Sequence, residues 1–300
     1  MPQVSIIIVT YNTRQMTAEC IESVFKKTNG VDFEIILVDN ASTDGSKEYF
    51  EKDSRIKYIY SNENLGFGRG NNLGYKYATG KYIFLLNSDT LLVNDAVSEM
   101  YQFMENAPAN VGSVGCVLQD RNGKRIHSYH LNFPTIGWFF KEVVCYSIPK
   151  LYNPYKKDEK RALCDSFPLE VKQITGADMF FRRNVIDECG MFDPDFFMYF
   201  EETEMQHRFL EKGYKSMIID TPKIIHLEGA SSAHPTCKRK NLLRKVNRVL
   251  KGRFTYARKV LSEREYLLFR LMHFLMIPRI VLSLSTLKDK KESFHILFGK

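Results

Sequence analysis

The sequence lacks the cysteine spacing that zinc sites and disulfide-stapled domains require. Its six cysteines are scattered along 300 residues, and no two of them form a Cys-x-x-Cys pair. This pattern neither builds a zinc site nor indicates a disulfide framework, so it favours a reducing compartment. The start of the chain also has no basic segment followed by the apolar core of a signal peptide. We therefore expect a cytoplasmic protein.

Internal repeats, low-complexity tracts and a long uncharged apolar run are absent from the sequence as well. The most apolar stretch, from Tyr266 to Leu287, is interrupted by Arg270, His273, Pro278 and Arg279. A membrane-spanning helix needs about 20 nearly uncharged residues, so this stretch is a poor candidate for one. With 44% hydrophobic residues, the chain is long enough to bury a substantial core. It suits one large α/β domain, or one domain with an appendage.

Acidic residues are scarce at the end of the chain. The net charge of +8 combines a net −5 for residues 1–237 with a net +13 for residues 238–300, which hold 17 Lys and Arg against four Asp and Glu. Lys238 to Ser262 contains ten basic and no acidic residues. A basic segment joined to an interrupted apolar helix is typical of a helix that lies in the interface of an anionic membrane.

For residues 237–300 we therefore expect two helices, broken near Ser262, that attach the protein peripherally to the inner face of the cell membrane. The alternative is that both helices pack on the main domain and leave their basic faces in solvent. A basic tail also occurs in nucleic-acid-binding proteins, but the sequence has no nucleic-acid-binding motif and no interleaved aromatic platform. We expect no nucleic-acid partner.

Strand and helix patterns alternate along the chain up to about residue 120. Short β-branched apolar runs predict strands and amphipathic segments predict helices; the predicted strands here are Val4–Val9, Phe33–Val38, Ile56–Tyr60, Tyr82–Leu86 and Val111–Leu118. Asn94 is predicted to cap a helix that ends at Asn106, and Glu201–Lys212 is predicted to form another. This order implies βαβ units and a mostly parallel, doubly wound α/β sheet.

Polar clusters follow three of these strands at their carboxyl ends. They are Thr10-Tyr11-Asn12, Asp39-Asn40 and Asn87-Ser88-Asp89. Ligands of open α/β sheets bind beyond this edge. The Asp39 carboxylate could accept the imide N–H of uracil or thymine, and Asp89 could bind a divalent cation through oxygen. Each cluster could also be an ordinary strand-end turn, but three on one edge favour a binding site.

The segment from Asn64 to Gly74 is rich in glycine and asparagine and leads into a helix. Glycines let the backbone approach a ligand closely, and a helix N-terminus favours phosphate. The segment therefore predicts a phosphate-binding loop, with a plain flexible loop as the alternative.

Taken in order, these segments resemble family 2 glycosyltransferases with the GT-A fold, and most closely the bacterial rhamnosyltransferase-like branch. The resemblance covers about residues 3–235, and the segments that carry it are Val4–Tyr11, Leu37–Gly45, Asn64–Gly74, Leu85–Thr90, Thr175–Asp178, Phe200–Glu204, Arg208 and His226–Ser231. It implies a glycosyltransferase domain over residues 1–236, with a nucleotide-sugar-binding half at 1–120 and an acceptor-binding and catalytic-base half at 121–236.

The resemblance also implies roles for individual residues. Glu202 stands at the position of the catalytic base, and Asp89 and His226 stand at the positions of ligands for Mg²⁺ or Mn²⁺. Ala177, Asp178 and Glu201 are expected to contact the acceptor. The expected contacts with the donor are Thr10, Tyr11, Asn12, Asp39, Asn64, Gly66, Arg69, Asn71, Asn87, Ser88 and Asp89.

The implied reaction is inverting transfer of a sugar from a dTDP- or UDP-sugar to an acceptor hydroxyl. Rhamnose is the favoured sugar, followed by galactose or glucose from a UDP-hexose, and a lipid-linked saccharide in cell-surface polysaccharide synthesis is the expected acceptor. Such a reaction needs a carboxylate that takes the acceptor proton and a cation that neutralises the departing diphosphate. Glu202 and the pair of Asp89 and His226 supply both.

Four departures from the family pattern bear on these roles. Asn87 stands where many relatives have the first Asp of Asp-x-Asp, which removes one charge from the metal site. Ser88 stands where the rhamnosyltransferase-like branch commonly has the Pro of Asn-Pro-Asp. Glu202 is one methylene longer than the common Asp, and Arg69 replaces a usual glycine. Glu201, Glu202 and Glu204 also open a helix, where acids favour the macrodipole, so at least two of them are expected to be structural.

Two further classes remain as alternatives. A sugar-1-phosphate nucleotidyltransferase needs a glycine-rich loop bearing Arg and Lys directly after the first strand, where this chain has Thr10-Tyr11-Asn12. A catalytically dead homologue is the other alternative, although Asp89, Glu202 and His226 are all present.

Overall fold

The computed structural model of the chain describes residues 1–147, 166–227, 242–282 and 286–298. Within these ranges the central element is an eight-stranded sheet with the order β3-β2-β1-β4-β10-β6-β11-β8, and two small sheets pair β12 with β5 and β7 with β9. The strands are β1 Val4–Thr10, β2 Phe33–Asp39, β3 Lys57–Tyr60, β4 Tyr82–Asn87, β5 Thr90–Leu92, β6 Val111–Cys116, β7 Tyr129–His130, β8 Leu169–Val171, β9 Gln173–Ile174, β10 Asp178–Arg182, β11 Lys215–Ile219 and β12 Ile224–His226.

Helices cover both faces of this sheet and form the C-terminal extension. They are α1 Arg14–Lys27, α2 Ser46–Phe50, α3 Gly66–Tyr75, α4 Ala96–Asn106, α5 Ile136–Ser147, α6 Arg183–Cys189, α7 Glu201–Glu211, α8 Leu242–Val260, α9 Glu263–His273, α10 Ile277–Val281 and α11 Leu287–Phe298. A short 3₁₀ turn, Phe274–Met276, joins α9 to α10. The predicted α/β architecture with a C-terminal helical extension is confirmed.

Strands β1 to β4 have the parallel order that the sequence predicts. β1 pairs in parallel with β2 and β4, β2 pairs in parallel with β3, and β6 pairs in parallel with β11. All seven residues of β1 except Val9 are buried, because apolar layers cover both faces of the sheet. This explains why its strands read as continuous apolar runs.

Strand β10 is an element that the sequence did not predict. It runs antiparallel between β4 and β6, and its first four residues, Asp178 to Phe181, are buried. At its end, the Arg182 guanidinium donates to the carbonyl oxygens of Val111, Met104 and Ala107. The insertion brings the Thr175–Asp178 segment to the carboxyl edge of β4.

The predicted cap of α4 is wrong by one residue. The side chain of Asp95, not Asn94, accepts the backbone N–H of Ser98 at 3.3 Å. Asn94 instead donates its amide to the Glu99 carboxylate at 2.8 Å and to the Thr221 carbonyl at 2.9 Å. Either residue type can cap a helix. Because the Asn94 side chain is engaged by Glu99 and Thr221, Asp95 takes the capping position.

The predicted break near Ser262 is confirmed. Ser262 accepts the backbone N–H of Glu265 and the Glu265 carboxylate accepts that of Ser262, which is a capping box at the start of α9. The expectation of two helices in the extension is wrong, because the chain turns again after His273 into α10, which has proline in its first turn, and then into α11. Among the described residues, no helix has the length and hydropathy to cross a membrane.

The extension packs on the rest of the chain through a buried aromatic cluster. Phe139 of α5, Tyr256 of α8 and Phe269 of α9 are all fully buried in it. The rings of Phe139 and Phe269 lie 4.9 Å apart, and that of Tyr256 lies 5.6 Å from Phe200. The extension therefore packs on the main domain, as the alternative expectation for residues 237–300 stated.

Candidate active site

The three polar clusters lie together on the carboxyl edge of the sheet. Strand register places Thr10 opposite Asp39, and Val9 opposite Asn87. The backbone N–H of Asn40 donates to the Thr10 carbonyl at 2.9 Å. The structure therefore brings the predicted donor-binding strand ends into one row.

Asp39 is a buried acceptor held in a fixed orientation. One carboxylate oxygen accepts the backbone N–H of Ser42 at 2.8 Å, and the other accepts the hydroxyl of Tyr58 at 2.7 Å. Burial and this hydrogen bond raise the pKa of Tyr58 above its ordinary value, so the phenol stays a donor. Sequence reasoning missed Tyr58, since a tyrosine on a strand carries no signal of its own.

Two loops at this edge are tied together by Asn12. Its backbone is left-handed, with φ 54°. Its backbone N–H donates to the Ser42 hydroxyl at 3.0 Å, and its side-chain Oδ1 accepts the backbone N–H of Thr43 at 2.7 Å. Its neighbour Tyr11 is 49% exposed. Asn12 therefore shapes the loops, and Tyr11 presents a ring to any ligand that binds there.

A chain of buried hydroxyls links the edge of β1 to the Asn87-Ser88-Asp89 turn. The Thr10 hydroxyl lies 3.0 Å from that of Thr13 and 2.9 Å from that of Thr17. The Thr13 hydroxyl lies 3.3 Å from that of Ser88. The Thr10 and Ser88 hydroxyls thus bond to other hydroxyls of the protein, and their contacts with the sugar donor stay a prediction.

The glycine-rich segment is mostly helix rather than loop, which corrects the expectation. Helix α3 begins at Gly66, whose N–H donates to the Asn64 carboxamide at 2.9 Å. A Cβ on Gly70 would lie 3.0 Å from Val9 Cγ1, and one on Gly74 would lie 2.5 Å from Ile7 Cγ2. These glycines let the helix pack closely on β1, which their spacing alone did not reveal.

The start of α3 also holds the segment that precedes α7. Gly66 has φ +79°, and a Cβ there would lie 2.0 Å from the Phe197 carbonyl oxygen, which accepts the N–H of Phe67 at 3.1 Å. Arg69 is half-buried, donates its Nε–H to the Leu65 carbonyl at 2.9 Å and lies over the Phe197 ring. Asn71 is buried and donates to the Phe67 carbonyl at 3.0 Å.

Asp89 and His226 lie in contact, as the family resemblance implies. His226 Nε2 lies 3.3 Å from Asp89 Oδ1, and their side chains are 15% and 7% exposed. The contact is fixed by the pairing of β5 with β12, which sets Thr90 opposite His226, and by the Leu227 N–H, which donates to the Asp89 carbonyl at 2.9 Å.

The pair fits a divalent cation of the Mg²⁺ or Mn²⁺ type. Carboxylate oxygen is the ligand that both ions prefer, and imidazole is compatible with Mn²⁺. The described residues contain no cluster of three or more His, Cys, Asp or Glu side chains with metal-binding geometry. Among the described residues, Asp89 and His226 would hold the ion, and phosphate oxygens of a substrate would supply further ligands, as is usual for Mg²⁺.

Asp178 lies at the first position of β10, next to this pair. Its carboxylate is fully buried and accepts the backbone N–H of Cys116 at 2.6 Å. Burial raises its pKa to about 7, and the Cys116 hydrogen bond opposes that rise. The carbonyl of Ala177 accepts the N–H of Asn87 at 3.0 Å. Asp178 and Ala177 thus hold the neighbouring strand ends through hydrogen bonds, and their contact with an acceptor stays a prediction.

Helix α7 carries two carboxyl groups with raised pKa values. Burial, followed by the charge of Glu202, raises the pKa of Glu201 to about 8. Burial also raises the pKa of Glu202. Glu204 is different, because its carboxylate accepts the Arg208 Nε–H at 2.8 Å, one turn further along the same helix. The structural role expected for some of these acids therefore applies to Glu204.

The turn before α7 is strained and is held by the C-terminal extension. Tyr199 and Phe200 have φ values of 74° and 71°, which non-glycine residues rarely adopt. The Tyr199 carbonyl oxygen would lie 2.2 Å from a Cβ on Gly252 of α8. Lys259 of α8 makes salt bridges of 2.8 Å to Asp193 and to Asp195, upstream of the same turn. The extension therefore positions the start of α7.

Solved structures show which fold this arrangement belongs to. The chain is similar to the mannosyltransferase PcManGT of Pyrobaculum calidifontis, solved in complex with GDP-Man and Mn²⁺, with a TM-score of 0.57 and 15% identity over 99% of this chain and 74% of that one. At this identity the likeness shows the fold alone, which is GT-A.

Curated relatives share a part of their sequence with this chain. An uncharacterized glycosyltransferase of Rickettsia felis is 37% identical over 44% of this chain and 22% of its own length. The putative teichuronic acid biosynthesis glycosyltransferase TuaG of Bacillus subtilis is 28% identical over 43% of this chain and 52% of its own. The chain thus spans about a fifth to a half of these relatives. The family model Glycosyl transferase family 2 matches residues 5–190, and the chain belongs to this family.

Proposed function

We propose that the chain is a metal-dependent, inverting glycosyltransferase that moves a sugar from a nucleoside diphosphate to an acceptor hydroxyl. The observation that carries the proposal is the pair of Asp89 and His226 at the carboxyl edge of the sheet, beside the strand ends that hold Asp39 and Asn87. Family membership supports the reaction class, and the α7 carboxyls with raised pKa values supply a candidate base.

Each part of the site has a task in this reaction. A bound Mg²⁺ or Mn²⁺, held by Asp89 and His226, would neutralise the charge of the leaving diphosphate. Asp39, oriented by Tyr58, accepts the imide N–H of the pyrimidine. Glu202 accepts the proton of the acceptor hydroxyl on the face opposite the leaving group. Its raised pKa brings it closer to the working pH, where a general base is most effective.

The favoured donors are dTDP-rhamnose and then a UDP-hexose, because uracil and thymine present the same imide edge to Asp39. PcManGT was solved with GDP-Man and Mn²⁺, so GDP-sugars belong among the comparison donors. The proposed acceptor is a lipid-linked saccharide in polysaccharide synthesis. The putative role of TuaG in teichuronic acid biosynthesis is in keeping with this acceptor, and the basic extension is in keeping with peripheral membrane attachment.

A donor screen tests the proposal. Release of nucleoside diphosphate should be measured for dTDP-, UDP- and GDP-sugars, with and without Mn²⁺ or Mg²⁺. We expect release from a dTDP- or UDP-sugar that requires the metal. Release from GDP-sugars alone would contradict the proposed base recognition, and pyrophosphate release from a sugar phosphate and a nucleoside triphosphate would indicate a nucleotidyltransferase.

Asp39→Ala is expected to raise the KM for the donor more than it lowers kcat. Base recognition acts equally in the ground state and the transition state, so its loss is mainly a loss of binding. Tyr58→Phe is the matched control, because it removes the hydroxyl that orients Asp39 and keeps the carboxylate. It should show a smaller rise in KM. A large fall in kcat at unchanged KM would rule out this role for Asp39.

Gly252→Ala is expected to lower kcat by up to about 10²-fold, because a displacement of about 1 Å at a reacting group can cost that much. The added Cβ would lie 2.2 Å from the Tyr199 carbonyl oxygen, so α8 and the turn that precedes Glu201 and Glu202 would have to move apart. The donor KM should stay nearly unchanged. Gly137→Ala on α5 is the control, since its nearest atom would lie 3.9 Å away. Equal kcat values for the two variants would contradict a positioning role for the extension.

A further inference from the structure

Helix α9 has an apolar face on the side that points away from the protein. Leu267, Leu268, Leu271 and Leu275 are 58%, 54%, 53% and 51% exposed. Their spacing of one, three and four residues places them on one stripe that continues into the 3₁₀ turn. A helix on the surface of a globular protein normally places polar residues on this stripe. The exposed leucines therefore form an apolar face on the outside of the extension.

The opposite side of α9 already has its packing. Phe269, Met272 and His273 are buried, and the Phe269 ring contacts those of Phe139 and Phe254 at 4.9 and 4.8 Å. The exposed stripe is thus a second apolar face of α9, separate from the face that packs in the core. Two further leucines of the extension, Leu282 and Leu287, are 82% and 69% exposed. An exposed apolar stripe like that of α9 marks an interaction site.

The charges around the stripe identify the partner. On α9 the exposed Arg264 lies one turn before Leu267 and Leu268, beside the exposed Glu263 and Glu265. Arg258, Lys288 and Lys291 are exposed elsewhere on the helical extension, whose sequence carries a net +13. Exposed leucines on a basic helical extension match a surface that is apolar inside and anionic at its boundary, which describes the headgroup region of an anionic bilayer. A second copy of this chain would bring the same positive charges together and repel.

We propose that the stripe of Leu267, Leu268, Leu271 and Leu275 inserts into the interface of an anionic membrane, with α9 parallel to the surface. The inference deepens the proposed peripheral attachment by naming the surface that makes it. Because α9 packs on α5 and α8, and α8 contacts the turn before α7, insertion would fix the orientation of the transferase domain relative to the membrane.

The test is flotation of the full-length protein with vesicles of phosphatidylglycerol and phosphatidylcholine, compared with vesicles of phosphatidylcholine alone. No donor or metal is needed, so the result is independent of transferase activity. We expect binding to the anionic vesicles at low salt and release at high salt, because basic side chains are screened by ions.

The informative variant is Leu267→Gln, Leu268→Gln and Leu271→Gln together, which leaves the charge unchanged. Burying half a leucine is worth roughly a factor of five in affinity, so the triple variant should bind roughly a hundredfold more weakly. Tyr49→Gln with Val93→Gln is the matched control, since these residues are 56% and 42% exposed on the sheet domain. It should bind like the unmodified protein.

Circular dichroism and Tm should match among all three proteins, because the substituted side chains are exposed. Vesicle binding by the triple variant at the level of the unmodified protein would overturn the inference. Absence of binding by the unmodified protein to anionic vesicles at low salt would overturn it as well. A dimer in sedimentation equilibrium that the triple variant converts to monomer would then assign the stripe to a second copy.

Discussion

Glu202→Gln is expected to lower kcat by ~10²–10⁴-fold and to leave donor affinity nearly unchanged, because removal of a general base costs about that much. The amide keeps the size of the side chain and cannot take the acceptor proton. Steady-state release of nucleoside diphosphate gives kcat, and calorimetric titration with the donor gives the affinity. Near-normal turnover in this variant would contradict the assignment of the base.

The neighbouring glutamates provide matched controls. Burial raises the pKa of Glu201 to about 8, so this carboxyl is protonated at neutral pH, and the amide of Glu201→Gln resembles that form. We expect this variant to keep most of its kcat at pH 7. Glu204→Gln should lower Tm through its salt bridge to Arg208 with less effect on kcat. Loss of kcat in Glu201→Gln, with Glu202→Gln active, would move the base by one residue.

The pH dependence follows from the same carboxyls. A base acts in its charged form, so kcat should rise with pH through the titration of Glu202, whose pKa lies above its ordinary value. Stability should change in the opposite direction. The folded protein favours protonated Glu201, so that contribution is complete below its ordinary pKa and is lost as the pH rises through about 8. Glu201→Gln should remove this part of the pH dependence of Tm.

Asp89→Ala is expected to weaken both metal and donor binding and to lower kcat/KM by roughly 10³-fold or more. A Lewis-acid cation contributes several kcal/mol to the transition state, and each 1.4 kcal/mol is tenfold. The variant removes the carboxylate that is proposed to hold the ion, and excess EDTA should have the same effect on the unmodified protein. His226→Ala should act in the same direction, since its Nε2 lies 3.3 Å from Asp89 Oδ1.

Two controls separate metal binding from folding in this experiment. Asn94→Ala changes a polar side chain a few residues away that contacts Glu99 and Thr221, and it should keep its metal dependence. Mn²⁺ should raise the Tm of the unmodified protein in the presence of nucleoside diphosphate, and it should not raise that of Asp89→Ala. Full activity of the unmodified protein in excess EDTA would remove the metal from the mechanism.

The sequence was sufficient to predict the row of strand ends at the site. Thr10, Asp39 and Asn87 follow buried apolar runs, and parallel pairing of these runs can place their carboxyl ends only at one edge. The meeting of Asp89 with His226 was different in kind. It depends on the pairing of β5 with β12, two strands of three residues each, and it followed from the resemblance to the family rather than from any periodicity.

What the sequence did not predict depends on long-range packing. The antiparallel insertion of β10 has no local signal, because antiparallel and parallel buried strands have the same apolar composition. Gly66, Gly70 and Gly74 resemble a loop in composition, and their contacts with Phe197, Val9 and Ile7 reveal a closely packed helix. The contact between Gly252 and Tyr199 joins residues more than fifty positions apart, which no spacing rule anticipates.

The most direct test of the proposed site is the position of a bound metal. A crystal grown with Mn²⁺ and uridine or thymidine diphosphate should be measured at the manganese absorption edge, where anomalous scattering locates the ion. We predict one ion bound by the Asp89 carboxylate, the His226 imidazole and the diphosphate, with the pyrimidine directed at Asp39. An ion or a nucleotide bound away from these three side chains would contradict the proposed site.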